Sequence, residues 1–189
     1  MRKMSESPDL IDLLTDQHRD VDLLFYQLAD ITGEASAEAL VLGRRVVISL
    51  VTHAIGEEQH LYPTVRRLLD DGEALADREV AEHDQAERAM RDLEALRPDD
   101  EAFWPTVRDL REMVRQHVEE EEQELFPRLR AACPDNELRR LGAKVQQTQR
   151  HAPTRPHPLA PSGEASLALL GPAIGLVDRL RDAATGRGH

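Results

Sequence analysis

His53 and Glu57 stand four residues apart, and the same pair recurs 64 residues later as His117 and Glu121. Each copy closes alike, in Leu61-Tyr62-Pro63 and in Leu125-Phe126-Pro127. Residues four apart on a helix lie on one face, so each imidazole and its carboxylate can converge on one point. That donor set suits iron, manganese or zinc, and with Cys133 as the single thiol it does not suit a structural zinc cage. His18 and His83, 65 residues apart, extend the repeat. A lone histidine on an apolar seam is ordinarily a hydrogen-bonded core residue. Four on inward seams, with two registered carboxylates, exceed what one tetrahedral ion takes. They suit two adjacent ions, with the carboxylates bridging. Burying these six groups without a cation would cost on the order of several kcal/mol per unpaired charge. His60, three residues after Glu57 on the same broad face, is a further candidate ligand, or else a partly exposed residue near the bundle end; its repeat counterpart is Glu124.

The elements that must position these residues are helices. Four stretches show helical periodicity and none alternates like a strand. The first is expected over residues 8–32, with Ser7 as cap and Gly33 past its end, and the second over 36–70. The third is expected over 73–96 and the fourth over 99–132. Pro63 and Pro127 occupy the same place in the repeat and are expected to kink or break their helices near the ends. A shorter fifth helix is expected over 134–150, closing a domain of residues 1–150. Short connections favour an antiparallel up-down-up-down four-helix bundle, all-α, in which one half relates to the other by a pseudo-twofold axis. Residues 151–189 form a separate tail. It opens on a stretch with four of the eleven prolines, read as a linker, and continues with Leu167, Leu170, Ile174, Val177 and Leu180 at roughly helical intervals.

Composition narrows the function. Acidic residues outnumber basic ones by 36 to 24, for a net charge of −12, which argues against a nucleic-acid surface. The start of the chain carries no apolar signal region, and no apolar run is expected to reach the roughly 20 residues that span a bilayer. The lone Cys133 fits a reduced, cytoplasmic setting. Aromatics are 3% of the chain, so the core must be aliphatic, and Tyr62, Phe126 and Trp104 read as packing residues. The run Glu119–Glu122 reads as a solvated face in which only Glu121 has the inward register. No phosphate loop, nucleophile triad or Cys pair points to hydrolase, kinase or thiol chemistry.

These residues resemble the hemerythrin-like, or HHE cation-binding, family over residues 8–132: an isolated His on helices one and three, His-x-x-x-Glu on two and four, then Leu-Tyr-Pro or Leu-Phe-Pro. The arrangement with its Pro-rich tail looks like the actinobacterial branch. The resemblance implies a four-helix bundle holding two non-haem iron ions. It carries over His18, His53, His83 and His117 as ligands, and Glu57 and Glu121 as bridges. Where the oxygen-carrying hemerythrins have a second His one turn from the first on helix three, this chain has Glu79 and Glu87. The function implied is to bind, sense or reduce dioxygen, peroxide or nitric oxide, with catalase-like peroxide disproportionation as its enzymatic form. A second expectation is an iron-responsive interaction module whose tail recruits a protein partner. A third is a metal-free structural bundle.

Overall fold

The computed structural model describes residues 8–31, 37–152 and 154–156. The expected cap at Ser7, the helix end at Gly33, the second-helix start at Ser36 and the tail from residue 157 lie outside them. Helix α1 spans Leu10–Ala29, and Asp9 caps it by accepting the amide of Asp12 at 3.0 Å. The cap is therefore Asp9, with Pro8 outside the helix. A carboxylate side chain offers the free amides of the first turn a stronger acceptor than a backbone-locked proline can. Arg130 also reaches the carboxylates of Asp9 and Asp12, tying the end of the fourth helix to the start of the first.

Helix α2 runs Ala37–Gly56, widens into a π segment over Glu57–Leu61, and resumes as Tyr62–Leu68. Helix α3 spans Gly72–Ala95. Helix α4 repeats the pattern of α2: Phe103–Glu120, a π segment Glu121–Leu125, then Phe126–Ala132. Helix α5 spans Asp135–Gln149. The prolines do not break their helices; each follows a π turn. The amide of Tyr62 bonds Glu57 O, five residues back, and that of Phe126 bonds Glu121 O. Proline has no amide hydrogen to give, and its ring crowds the carbonyl four residues earlier. Widening the preceding turn relieves that crowding.

Helices α1 and α2 pack together, as do α3 and α4, while α2 also meets α3 and α5 lies across α1 and α2. The apolar seams bury two separate clusters. One gathers Leu10, Leu14, Leu61, Val65, Leu125 and Leu129 with Leu138, Leu141 and Val145 of α5. The other gathers Val21, Phe25, Leu28, Val46, Leu50, Leu93, Phe103 and Leu110. Between them lies a buried polar layer made by the repeat residues. Close approach of α5 requires small residues. A Cβ on Gly56 would stand 2.8 Å from a methyl of Val145, and one on Gly142 would stand 2.7 Å from the carbonyl of Pro8.

By length and composition the unbroken span Ala37–Leu68 is apolar enough to cross a membrane, with a mean hydropathy of 1.5 over its most apolar stretch. The sequence expectation of no such run is corrected here. Half of that stretch is packed inside the bundle, which makes α2 its central core helix.

Candidate metal centre

The inward faces of α1–α4 bring six of the seven expected residues together. The ring nitrogens His18 Nε2 and His53 Nε2 stand 3.2 Å apart, and His83 Nε2 and His117 Nε2 form a second pair at 3.2 Å. Glu57 spans the pairs: Oε1 lies 2.9 Å from His53 Nε2, and Oε2 lies 3.3 Å from His83 Nε2. Glu121 answers from α4, with Oε2 3.4 Å from His18 Nε2 and 3.8 Å from His117 Nε2. Both carboxylates are wholly buried.

Two observations test whether this donor set fits a cation. Both oxygens of Glu57 and Oε2 of Glu121 are buried yet take part in no hydrogen bond. Left alone, such atoms carry a full desolvation penalty. In addition, every Nδ1 faces an acceptor, which assigns the ring proton outward and turns each Nε2 lone pair to the centre. His18 Nδ1 bonds Glu122 at 2.9 Å and His83 Nδ1 bonds Glu58 at 3.1 Å. His53 Nδ1 bonds Gln17 Oε1 at 2.9 Å, and His117 Nδ1 bonds Glu82 at 2.9 Å. An outer acceptor on each imidazole is the arrangement that orients metal-binding histidines. The residues fit a pair of cations.

The outer acceptors obey the repeat. Gln17 and Glu82 each precede a histidine by one residue, and Glu58 and Glu122 each follow a buried glutamate by one. That offset was the available signal, and reading Glu119–Glu122 as solvated apart from Glu121 missed it. Two breaks in the symmetry matter. Gln17 is neutral where Glu82 is anionic, and Gln17 is held in turn by Gln149 of α5 through a paired amide contact at 2.8 and 3.0 Å. Tyr62 is no mere packing residue. Its hydroxyl donates to Glu121 Oε1 at 3.2 Å and stands 3.1 Å from His83 Nε2. Its counterpart Phe126 stacks on His18 with ring centroids 5.7 Å apart. Trp104 does pack, edge-on against Phe103.

His60 is the residue the structure keeps out. Its Nε2 bonds the hydroxyl of Thr148 on α5 at 2.8 Å. Inside the wider π turn, three residues no longer return to the face of Glu57. Four do, and Leu61 lies buried below the glutamate. Glu79 comes nearer than the sequence indicates. It is fully buried, bonded to Arg78 at 2.9 Å, with Oε2 3.1 Å from His117 Nδ1. Glu87 lies half-buried on α3, outside the cluster.

The fields within the layer divide the titrating groups. Burial disfavours the Glu57 carboxylate, but His53 and His83 outweigh it and hold Glu57 well below the usual range. Burial and the charge of Glu57 push Glu121 up. Burial alone would lower His83, yet contacts to Glu57 and Glu58 raise it to about 9. His18 and His117 also rise, against burial, through their carboxylate neighbours, whereas burial leaves His53 lowered. Burial and the charge of Glu121 push the Tyr62 phenol well above its ordinary value.

On the histidine side of the layer lies a cavity of about 220 Å³ that touches all four imidazoles. Its walls come from every bundle helix, including Val21, Leu50, Ala86, Met90 and Val114.

The family model described as the hemerythrin HHE cation binding domain matches residues 9–129. A hemerythrin-like protein of Schizosaccharomyces pombe is 27% identical over 137 residues, 72% of this chain and 68% of that protein. A DNA nickase of Nostoc is 29% identical over 121 residues, 63% of this chain but only 33% of its own length. The crystal structure of a hemerythrin HHE cation-binding domain-containing protein from Mycobacterium kansasii superposes with a TM-score of 0.66 at 20% identity. That likeness covers 76% of this chain and 86% of the other.

Proposed function

The chain belongs to the hemerythrin HHE cation-binding domain family, and from that premise we propose that its polar layer holds two non-haem iron ions and that the protein binds and reduces a small oxidant: peroxide, dioxygen or nitric oxide. The observation that carries this reading is the buried oxygens without hydrogen bonds, both of Glu57 and Oε2 of Glu121, set against two pairs of inward Nε2 atoms. In it His18 and His53 would hold one ion, His83 and His117 would hold the other, and Glu57 and Glu121 would supply carboxylate oxygens to both. Iron bound there supplies Lewis acidity and one-electron redox steps.

The remaining work falls to this chain's own side chains. Glu122, Gln17, Glu58 and Glu82 hold the four imidazoles in the tautomer that turns Nε2 inward. Tyr62 keeps its proton at neutral pH because burial and Glu121 oppose its ionisation. Its hydroxyl is thus a hydrogen-bond donor beside the Glu121 carboxylate. The apolar cavity walls flank the histidine face and leave room for a ligand. A reducing, cytoplasmic setting belongs to the same reading, since Cys133 is a free buried thiol. The chemistry of the nickase is not carried over, because a net charge of −12 opposes a phosphate backbone.

The test is metal analysis of anaerobically purified protein together with its reactions. Two irons per chain are expected, with hydrogen peroxide decay and oxygen release that vanish in His117→Ala. Iron-loaded protein inert to peroxide, dioxygen and nitric oxide alike would overturn the redox reading.

A further inference from the structure

The cavity above the histidines is far larger than any of those small oxidants needs. A water molecule occupies roughly 30 Å³ of liquid, and an apolar cavity of about 150 Å³ holds benzene. The volume here is about 220 Å³. Its chemistry is also uneven. The four imidazoles that face the metal centre close one end, and Val21, Leu50, Ala86, Met90, Met113 and Val114 supply apolar walls. Gln85, Met113 and Gln116 are exposed and mark where the space meets solvent. The acidic groups that line it, Glu82 and Glu120, repel a carboxylate or phosphate on the ligand. The bridging candidates Glu57 and Glu121 are not part of the lining, so this cavity reaches the centre from the imidazole side.

We propose that this cavity takes an uncharged organic hydroperoxide. Its apolar body, about the size of a substituted benzene, fills the aliphatic chamber, and its oxygen end meets the imidazole floor. The inference rests on the reading of the site as a peroxide-binding iron centre and adds the class of peroxide. Shape, polarity and charge select the same ligand: one polar oxygen end, no anionic group, and a body that buries apolar surface. Hydrogen peroxide fits the space but leaves most of it to water against apolar walls, which is unfavourable.

The sequence supplies its own probes. Of four methionines, Met90 and Met113 line the cavity. The protein is labelled with ¹³C-methyl methionine, loaded with zinc in place of iron to keep the spectrum sharp, and titrated with 2-phenyl-2-propanol, the unreactive alcohol of a compact aryl hydroperoxide. Saturable shifts of the Met90 and Met113 methyls are expected. Ala86→Phe should weaken the apparent affinity by about tenfold or more. Met113→Trp, at the exposed mouth, should do the same without entering the core. Shifts absent up to roughly millimolar alcohol, or growing without saturation, overturn the proposal. So does an affinity untouched by both folded variants. Hydrogen peroxide decay in iron-loaded samples separates the two readings. Decay without alcohol binding sinks the organic ligand alone. Saturable alcohol binding beside an iron-loaded protein inert to peroxide supports the cavity's ligand shape and overturns the redox reading.

Discussion

The imidazoles carry opposite duties on their two nitrogens, and the outer one governs the inner. Glu58 fixes His83, so Glu58→Leu should lower metal affinity by about 10–100-fold, as read by competition with a coloured chelator; Glu82→Leu should cost less, because Glu79 Oε2 stands 3.1 Å from the same His117 Nδ1. His60→Gln should leave the metal content at its wild-type value, because that ring is engaged with Thr148; a loss of one metal per chain would reinstate it as a ligand. The raised His83 gives a pH signature for the chelated protein. A group whose folded value stands above its unfolded one stabilises the fold in its protonated form. For His83 that contribution is complete below about 6.5 and is lost as pH rises through about 9. The thermal midpoint of the chelated protein should therefore fall between those values in a pH-resolved melting series, whereas a metal-loaded sample, with the imidazole already deprotonated, should not show that loss. At this scale the sequence was half legible. The six inward donors follow from spacing, because a helix converts four residues into one face. The outer acceptors and Tyr62 did not follow, because their partners lie on other helices and periodicity along one chain says nothing about them.

Helix by helix, periodicity recovered all five elements, and the differences gather where local chemistry competes with it. Asp9 caps the first helix because its carboxylate reaches the free amide of Asp12. The fourth helix begins at Phe103 instead of Asp99, since Asp100 is occupied in capping the amide of Arg97 at 2.6 Å. The π turns were illegible, because a proline announces only that a regular turn will not do and not how the chain responds. The docking of α5 was legible as a helix but not as a support for the site. Gly56→Val would push a branched side chain into Val145, and overpacking of this kind costs about 1–3 kcal/mol. A denaturant titration should show that loss together with weaker metal binding, since Gln149, which holds Gln17, also lies against Gly56. Stability lost with metal affinity intact would mean that α5 merely covers the bundle.

Across the whole molecule, a charged layer is sandwiched between two apolar clusters, so metal and fold are energetically linked. A metal present at 100 times its dissociation constant adds about 2.7 kcal/mol to the stability of the native state. Chelation should accordingly lower the thermal midpoint, and His53→Ala should shrink the difference between chelated and loaded samples, since His83 and His117 remain. Equal midpoints for wild-type protein in both conditions would favour the metal-free structural bundle. The contact between Gln149 and Gln17 also has a consequence in time. Every inward donor has been synthesised once Glu121 is made, but the group that steadies His53 is steadied from residue 149. The half of the bundle translated first is therefore the half that matures last. Nascent chains arrested before and after α5 should differ in how firmly they retain metal at His18 and His53, and hardly at all at His83 and His117.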